Sequence, residues 1–110
     1  MAKMLKPTLR ERNRYIAFEV ASDSSFERKP VVDAIWSSLL RLFGEVGAAK
    51  TSLWVMDWEK AKKKGIIKVN HKSVQTIRQC MAQVREIDGR KASINTLTTS
   101  GTLKGARKRL

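Results

Sequence analysis

Between residues 31 and 46, apolar side chains return at every third or fourth place: Val32, Ile35, Trp36, Leu39, Leu42, Phe43 and Val46. That is the period of an α-helix, and a stripe this broad requires a second layer to bury it. Pro30 suits the first turn of such a helix, where its missing N–H leaves no bond unmade, and Gly47 suits its end. Just upstream the period changes. In RYIAFEV, Ile16, Phe18 and Val20 alternate with Tyr15, Ala17 and Glu19, so the spacing predicts a strand with one buried face. A helix set between strands, with a stripe to cover, places the chain among folds whose helices lie on a sheet.

The remaining elements follow from the same two periods. TSLWVMDW reads as a second strand, EKAKKKG as a turn carrying Lys60, Lys62, Lys63 and Lys64, and GIIKVNH as a third strand. Ser73 suits the N-cap of a second helix in which Val74, Ile77, Met81 and Val84 share a face. Asp88-Gly89 ends that helix, and the alternating residues 90–97 supply a fourth strand. The order is β-α-β-β-α-β with a C-terminal helical extension. Two right-handed crossovers over an antiparallel sheet make this an α+β fold, ferredoxin-like and RNA-recognition-like, an α/β sandwich. Both helices then cover one face of the sheet and leave the other free for a partner. The 110 residues fit a single domain, with residues 1–14 as a basic N-terminal arm, 15–97 as core and 98–110 as a basic C-terminal extension.

Charge narrows the function. Lys and Arg number 23 against 10 Asp and Glu, a formal net charge of +13, which attracts polyanions and nucleic acid first among them. Cys80, the single cysteine, has no intrachain disulfide partner and suits a reducing cytosol. There is no apolar leader at the start and no apolar run of the ~20 residues that a membrane helix requires, so a soluble cytoplasmic protein is expected, with no membrane partner. With one histidine and one cysteine, His71 and Cys80, no zinc site and no cofactor are expected. Cys80 adjoins an apolar stripe and reads as a buried structural thiol. His71 reads as a packed or solvent-bonded imidazole rather than a catalytic base. No residue stands out as catalytic.

The cations are grouped. Lys3, Lys6, Arg10, Arg12 and Arg14 precede the first strand, and Lys104, Arg107, Lys108 and Arg109 close the chain. The first and last strands are neighbours in the expected sheet, so these two groups are expected to form one continuous phosphate-binding surface. Ser100-Gly101-Thr102 looks like a helix start, for which two readings stand side by side. One is an ordinary turn and N-cap; the other is a set of free amides that, with Lys104, holds a phosphate. Trp54, Met56 and Trp58 are expected to share one face of the second strand. Core packing is the default for such side chains, but on an edge strand they suit a protein interface. Base stacking on the sheet is not expected, because the third strand has no aromatic and Tyr15 is the only outward-facing one on the first.

MLKPTLRERNRYIAFEV, AIWSSLLRLFGEVGAAKTSLWVMDW, KGIIKVNHKSV and INTLTTSGTLKGARKR occur in that order. They resemble the protein component 2 family of archaeal ribonuclease P, homologous to a small subunit shared by eukaryotic ribonuclease P and its MRP relative. The resemblance covers nearly the whole chain and is least at residues 21–29 and 59–64. It implies a non-catalytic subunit of the ribonucleoprotein that removes 5′ leaders from precursor tRNAs, with the chemistry done by the RNA and its bound magnesium. The implied partners are the catalytic domain of the ribonuclease P RNA, protein component 3 and, indirectly, precursor tRNA, with pairing of two such heterodimers as an open alternative. The expected RNA-binding residues are Arg10, Arg12, Arg14, Lys72, Ser100, Gly101, Thr102, Lys104, Arg107, Lys108 and Arg109. Trp54, Met56 and Trp58 are the expected protein contacts. Two rivals share parts of the pattern. Another RNA-binding module, such as a ribosomal protein, shares the composition. An acylphosphatase shares the fold, but ASDSSFERKP lacks the glycine-rich loop and arginine of such an enzyme.

Overall fold

The alternation in RYIAFEV becomes β1 (Asn13–Ala21), with Ile16, Phe18 and Val20 buried on one side. The computed structural model describes residues 12–110. After β1 come α1 (Arg28–Ala49), β2 (Trp54–Glu59), β3 (Lys64–Asn70), a 3₁₀ turn at His71–Ser73 and α2 (Val74–Ala82). A short ribbon of β4 (Glu86–Ile87) and β5 (Arg90–Lys91) precedes β6 (Ser93–Ser100) and α3 (Leu103–Arg107). β2, β3, β1 and β6 form one sheet in that order, each neighbouring pair antiparallel. This is the expected α+β, ferredoxin-like arrangement: α1 carries the chain from β1 across β3 to β2, and α2 carries it from β3 across β1 to β6.

One core lies between the sheet and the first two helices. Ile16, Phe18, Val20, Val55, Ile67, Val69 and Ile94 face Val31, Ile35 and Leu39 of α1 and Ile77, Cys80 and Met81 of α2. Each such buried aliphatic side chain contributes roughly 1.5–3 kcal/mol of transfer free energy before entropy is counted. Ser38 interrupts the α1 stripe without an unmet polar group, because its hydroxyl donates to the Cys80 carbonyl oxygen at 2.7 Å and ties α1 to α2. Between Phe18 on β1 and Trp58 on β2 the intervening β3 residue is Gly65. The two rings meet over it, with centroids 6.0 Å apart and planes 18° from parallel.

The second face of the sheet is not free, as the sequence suggests, but partly covered. Ala17, Ile66 and Ala106 are fully buried together, and Tyr15, Met56, Leu97, Leu103 and Leu110 pack around them. That makes α3 a lid on the face opposite α1 and α2. It also explains why Ile66 and Ile67, adjacent on β3 and therefore on opposite faces, are both buried.

Other boundaries differ from the sequence pattern for local reasons. Asp88 and Gly89 take φ values of 54° and 75°, as the two central residues of a two-residue hairpin turn do, so they join β4 to β5 rather than end a helix. The fourth strand of the main sheet therefore begins at Ser93, not at residue 90. Ser73 makes no side-chain cap bond, since the 3₁₀ turn leads directly into α2. α1 runs through Gly47 to Ala49 and is broken earlier, at Gly44, where φ is 70° and ψ is 178°.

That Gly44 conformation is open almost only to glycine, and a Cβ added there would meet nothing within 4 Å, so backbone strain alone opposes a side chain. Gly101 is equally uncrowded and has no left-handed φ. Gly44→Ala should therefore lower unfolding free energy by about 1–3 kcal/mol. Gly101→Ala should stay within about 0.5 kcal/mol of the parent. Urea titration followed by circular dichroism measures both.

Candidate nucleic-acid interface

The C-terminal segment crosses the sheet from one edge to the other. It leaves β6 at Ser100, lays Ala106 over Ala17 and Ile66 on the two central strands, and reaches the opposite edge strand through Arg107. There the Arg107 Nε donates to Asp57 Oδ2 at 2.9 Å and its Nη2 to Oδ1 at 3.4 Å. The hydrogen bond to Asp57, and then its charge, hold the guanidinium above its already high ordinary pKa. Beyond it, Lys62 of the β2–β3 turn donates to the Leu110 carbonyl oxygen at 3.0 Å. This docking leaves Lys104, Lys108 and Arg109 exposed on the outer side of the segment.

The Ser100-Gly101-Thr102 turn is a self-satisfied cap. Ser100 Oγ accepts from the Thr102 amide at 3.2 Å, and Thr102 Oγ1 accepts from the Gly105 amide at 3.0 Å. Of the two sequence readings, the N-cap is the one this geometry shows, and two amides that a phosphate would use are already bonded. Arg107 is likewise engaged within the fold rather than free.

The upstream cations gather elsewhere. Arg10 lies outside the described residues. The Arg12 carbonyl accepts from the His71 amide at 2.7 Å and lies 3.2 Å from His71 Nδ1, which places Arg12 beside Lys72 at one end of the sheet. Arg14 pairs with Val69, so it belongs to the face that bears α1 and α2 and does not extend the α3 surface. Among the described residues the cations expected on one continuous surface fall in two groups, Arg12 and Lys72 at the sheet end and Lys104, Lys108 and Arg109 along the α3 segment; Lys3 and Lys6, like Arg10, lie outside the described residues.

Trp54, Met56 and Trp58 do not share a face. The β2–β3 register shifts between Val55 and Asp57, a bulge that inserts Met56 as an extra residue and reverses the alternation beyond it. Trp58 therefore packs with Phe18 in the main core, and its Nε1 donates to the Phe26 carbonyl at 2.9 Å. Met56 packs under α3, and Trp54 alone is open, with 63% of its surface exposed. Trp54 pairs with Lys68, Lys68 with Tyr15, and Tyr15 with Ser100. These four side chains make one row across the sheet on the α3 side. Sequence reasoning missed Lys68 as a member of this row, and missed Asp57 and Lys62 as anchors of the C-terminal segment; the anchors lie about 50 residues from their partners, and only the fold joins them.

The remaining chemistry is sparse. Among the described residues there is no group of three or more His, Cys, Asp or Glu placed to hold a metal ion, and no helix long and apolar enough to cross a membrane. Cys80 is fully buried, and desolvation pushes its thiol pKa up. The two stretches where the resemblance is least also touch each other, through Lys60 to Glu27 and Lys63 Nζ to the Ser22 carbonyl.

The profile of the Rpp14/Pop5 family matches residues 14–110, from β1 through α3. The chain belongs to the Rpp14/Pop5 family. It is 40% identical over 102 residues to the ribonuclease P protein component 2 of Pyrococcus horikoshii, covering 93% of this chain and 85% of that protein. The protein of the same name from Methanosarcina barkeri is 38% identical over 104 residues, 94% of this chain and 76% of its own length. The fold is that of a chain in the cryo-EM structure of yeast ribonuclease MRP, with a TM-score of 0.70, 18% identity, and coverage of 89% of this chain and 79% of the other. The family match includes α3, so the crossing segment lies within the stretch that this chain shares with the Rpp14/Pop5 family.

If the Arg107–Asp57 pair fastens α3, Arg107→Ala and Asp57→Asn should each speed hydrogen exchange of the Ala106 amide while leaving exchange in β1 and β3 unchanged. The double variant should add little to either single change. Additive acceleration would show that the two residues act separately.

Proposed function

We propose that this chain is a non-catalytic protein subunit of ribonuclease P. It binds the catalytic domain of the ribonuclease P RNA together with protein component 3 and supports 5′ leader removal from precursor tRNA in the cytoplasm. The kinship to proteins named ribonuclease P protein component 2 carries this reading. The physical task fits the charge: a surface on a chain of net charge +13 screens the repulsion among closely packed phosphates. The RNA then holds a cleavage-ready geometry, with the magnesium ions belonging to the RNA.

The apolar end of α1 is the surface we assign to protein component 3. Leu40, Leu42, Phe43 and Val46 leave 42–71% of their surface open around the break at Gly44. Four open apolar side chains within seven residues suit a protein contact. Trp58 has no part in it, being committed to the core.

Two measurements follow. Lys104, Lys108 and Arg109 have no side-chain partner among the described residues, so changing all three to Ala should leave the melting temperature unchanged. The same variant should flatten the salt dependence of binding to the ribonuclease P RNA by about two to three units of d log K/d log[salt]. An unchanged slope would remove α3 from the interface, and a chain that fails to bind this RNA at all would overturn the subunit reading. Phe43→Ala should weaken the complex with protein component 3 by about 2 kcal/mol, measured by calorimetry, without loss of stability.

A further inference from the structure

The row Trp54–Lys68–Tyr15–Ser100 is a second feature of the α3 side of the sheet, distinct from the cations of α3 itself. Residues paired across antiparallel strands point to the same face, so the four side chains stand side by side. Trp54 and Tyr15 are separated by two strand spacings of about 4.8 Å, roughly 10 Å, with Lys68 between them. Only Trp54 is widely open; Tyr15, Lys68 and Ser100 are half-buried. The next row, Asp57–Ile66–Ala17–Thr98, lies under α3, so α3 forms a wall along one side of the aromatic row. On the other side the next row of this face is Asn13–Asn70, with Arg12 and Lys72 beyond it at the sheet end.

Two aromatic rings with a lysine between them, bordered by the cation-bearing α3 segment, form a surface complementary to a strand of alternating bases and phosphates. The row carries no carboxylate. A protein partner would gain from Trp54 but would have to meet the surrounding positive charge, whereas single-stranded RNA satisfies ring and charge together. We propose that this row is a stacking platform for unpaired RNA bases, Trp54 and Tyr15 each taking one base and Lys68 contacting the phosphate between them. The proposal rests on the RNA-binding reading above and refines it, because stacking selects unpaired nucleotides where the α3 cations attract any phosphate backbone. The sequence alone points away from stacking, since β3 offers no aromatic. The fold supplies the second ring from β2, where the bulge at Met56 leaves Trp54 on the outward side.

The full chain is titrated with a ten-nucleotide oligouridylate and, separately, with an RNA duplex, each across a salt series. Trp54→Ala should weaken oligouridylate binding about tenfold with an unchanged salt slope, because a stacking contact and no phosphate contact is lost. Trp54→Phe should recover most of that loss, and duplex affinity should be the same for all three proteins. Lys68→Ala should instead flatten the oligouridylate slope by about 0.7. Wild-type affinity for oligouridylate in Trp54→Ala, with duplex binding intact, overturns the platform and leaves the RNA-binding reading standing. Failure of the parent chain to bind either RNA overturns both. Loss of protein component 3 binding in Trp54→Ala, with oligouridylate binding unchanged, reassigns Trp54 to a protein interface.

Discussion

Gly65 holds Phe18 and Trp58 together, and the two faces of the sheet are sorted by that contact. A Cβ at this position would lie 2.7 Å from Phe18 Cζ and 2.8 Å from the Asp57 carbonyl oxygen, so a side chain here displaces either a core ring or the backbone of β2. With no side chain, rings from the two flanking strands close over the gap, and Trp58 is fixed inward. Side chains in a strand alternate, so fixing Trp58 inward turns Asp57 outward, where it meets Arg107. The bulge one residue earlier absorbs the extra residue Met56 and leaves Val55 inward and Trp54 outward. The anchor of α3 and the open tryptophan thus both depend on one crowded glycine.

The central strands β1 and β3 are buried on both sides, which is unusual for an antiparallel sheet of a small protein. Their second cover is slight: α3 has five residues, and the apolar contacts are its Leu103 and Ala106, with Leu110 just beyond its end. Ala106 matters more than its size suggests, because a small side chain lets the helix lie close against Ala17 and Ile66. This thin lid does two things at once. It keeps Ile66 dry, and it presents Lys104, Lys108 and Arg109 outward in a fixed position instead of on a loose tail. The exposed Arg107–Asp57 pair adds direction to this docking more than energy.

Much of the fold was legible in the sequence because two periods announce it. Ile16, Phe18 and Val20 mark β1, and the Val32-to-Phe43 stripe marks α1, with no help from distant residues. The β4–β5 ribbon was legible too, in the Asp88-Gly89 pair that favours a tight hairpin turn, but reading it as a helix end merged Arg90–Lys91 with β6. The bulge at Met56 was not legible. Register is decided by what lies across the strand, here Gly65 and Phe18, and a single strand read alone alternates regularly. The basic groups were visible by composition, but their grouping was not: Arg14 faces the helix side because β1 starts at Asn13, and Arg107 is taken by an aspartate 50 residues away. Leu103 and Ala106 fall on one side of a short helix, with Leu110 just beyond its end, a pattern overshadowed by the charges around it.

Bound RNA is proposed to lie along the α3 side of the sheet, with the exposed backs of α1 and α2 left to solvent or protein. Ultraviolet crosslinking of the full chain to the ribonuclease P RNA, with the modified residues mapped by mass spectrometry, tests that placement most directly. Adducts at Trp54, Tyr15 and the peptide containing Lys104 and Lys108 are the result expected. Adducts confined to Lys29, Arg41 and Arg78, on the opposite helical layer, would contradict it.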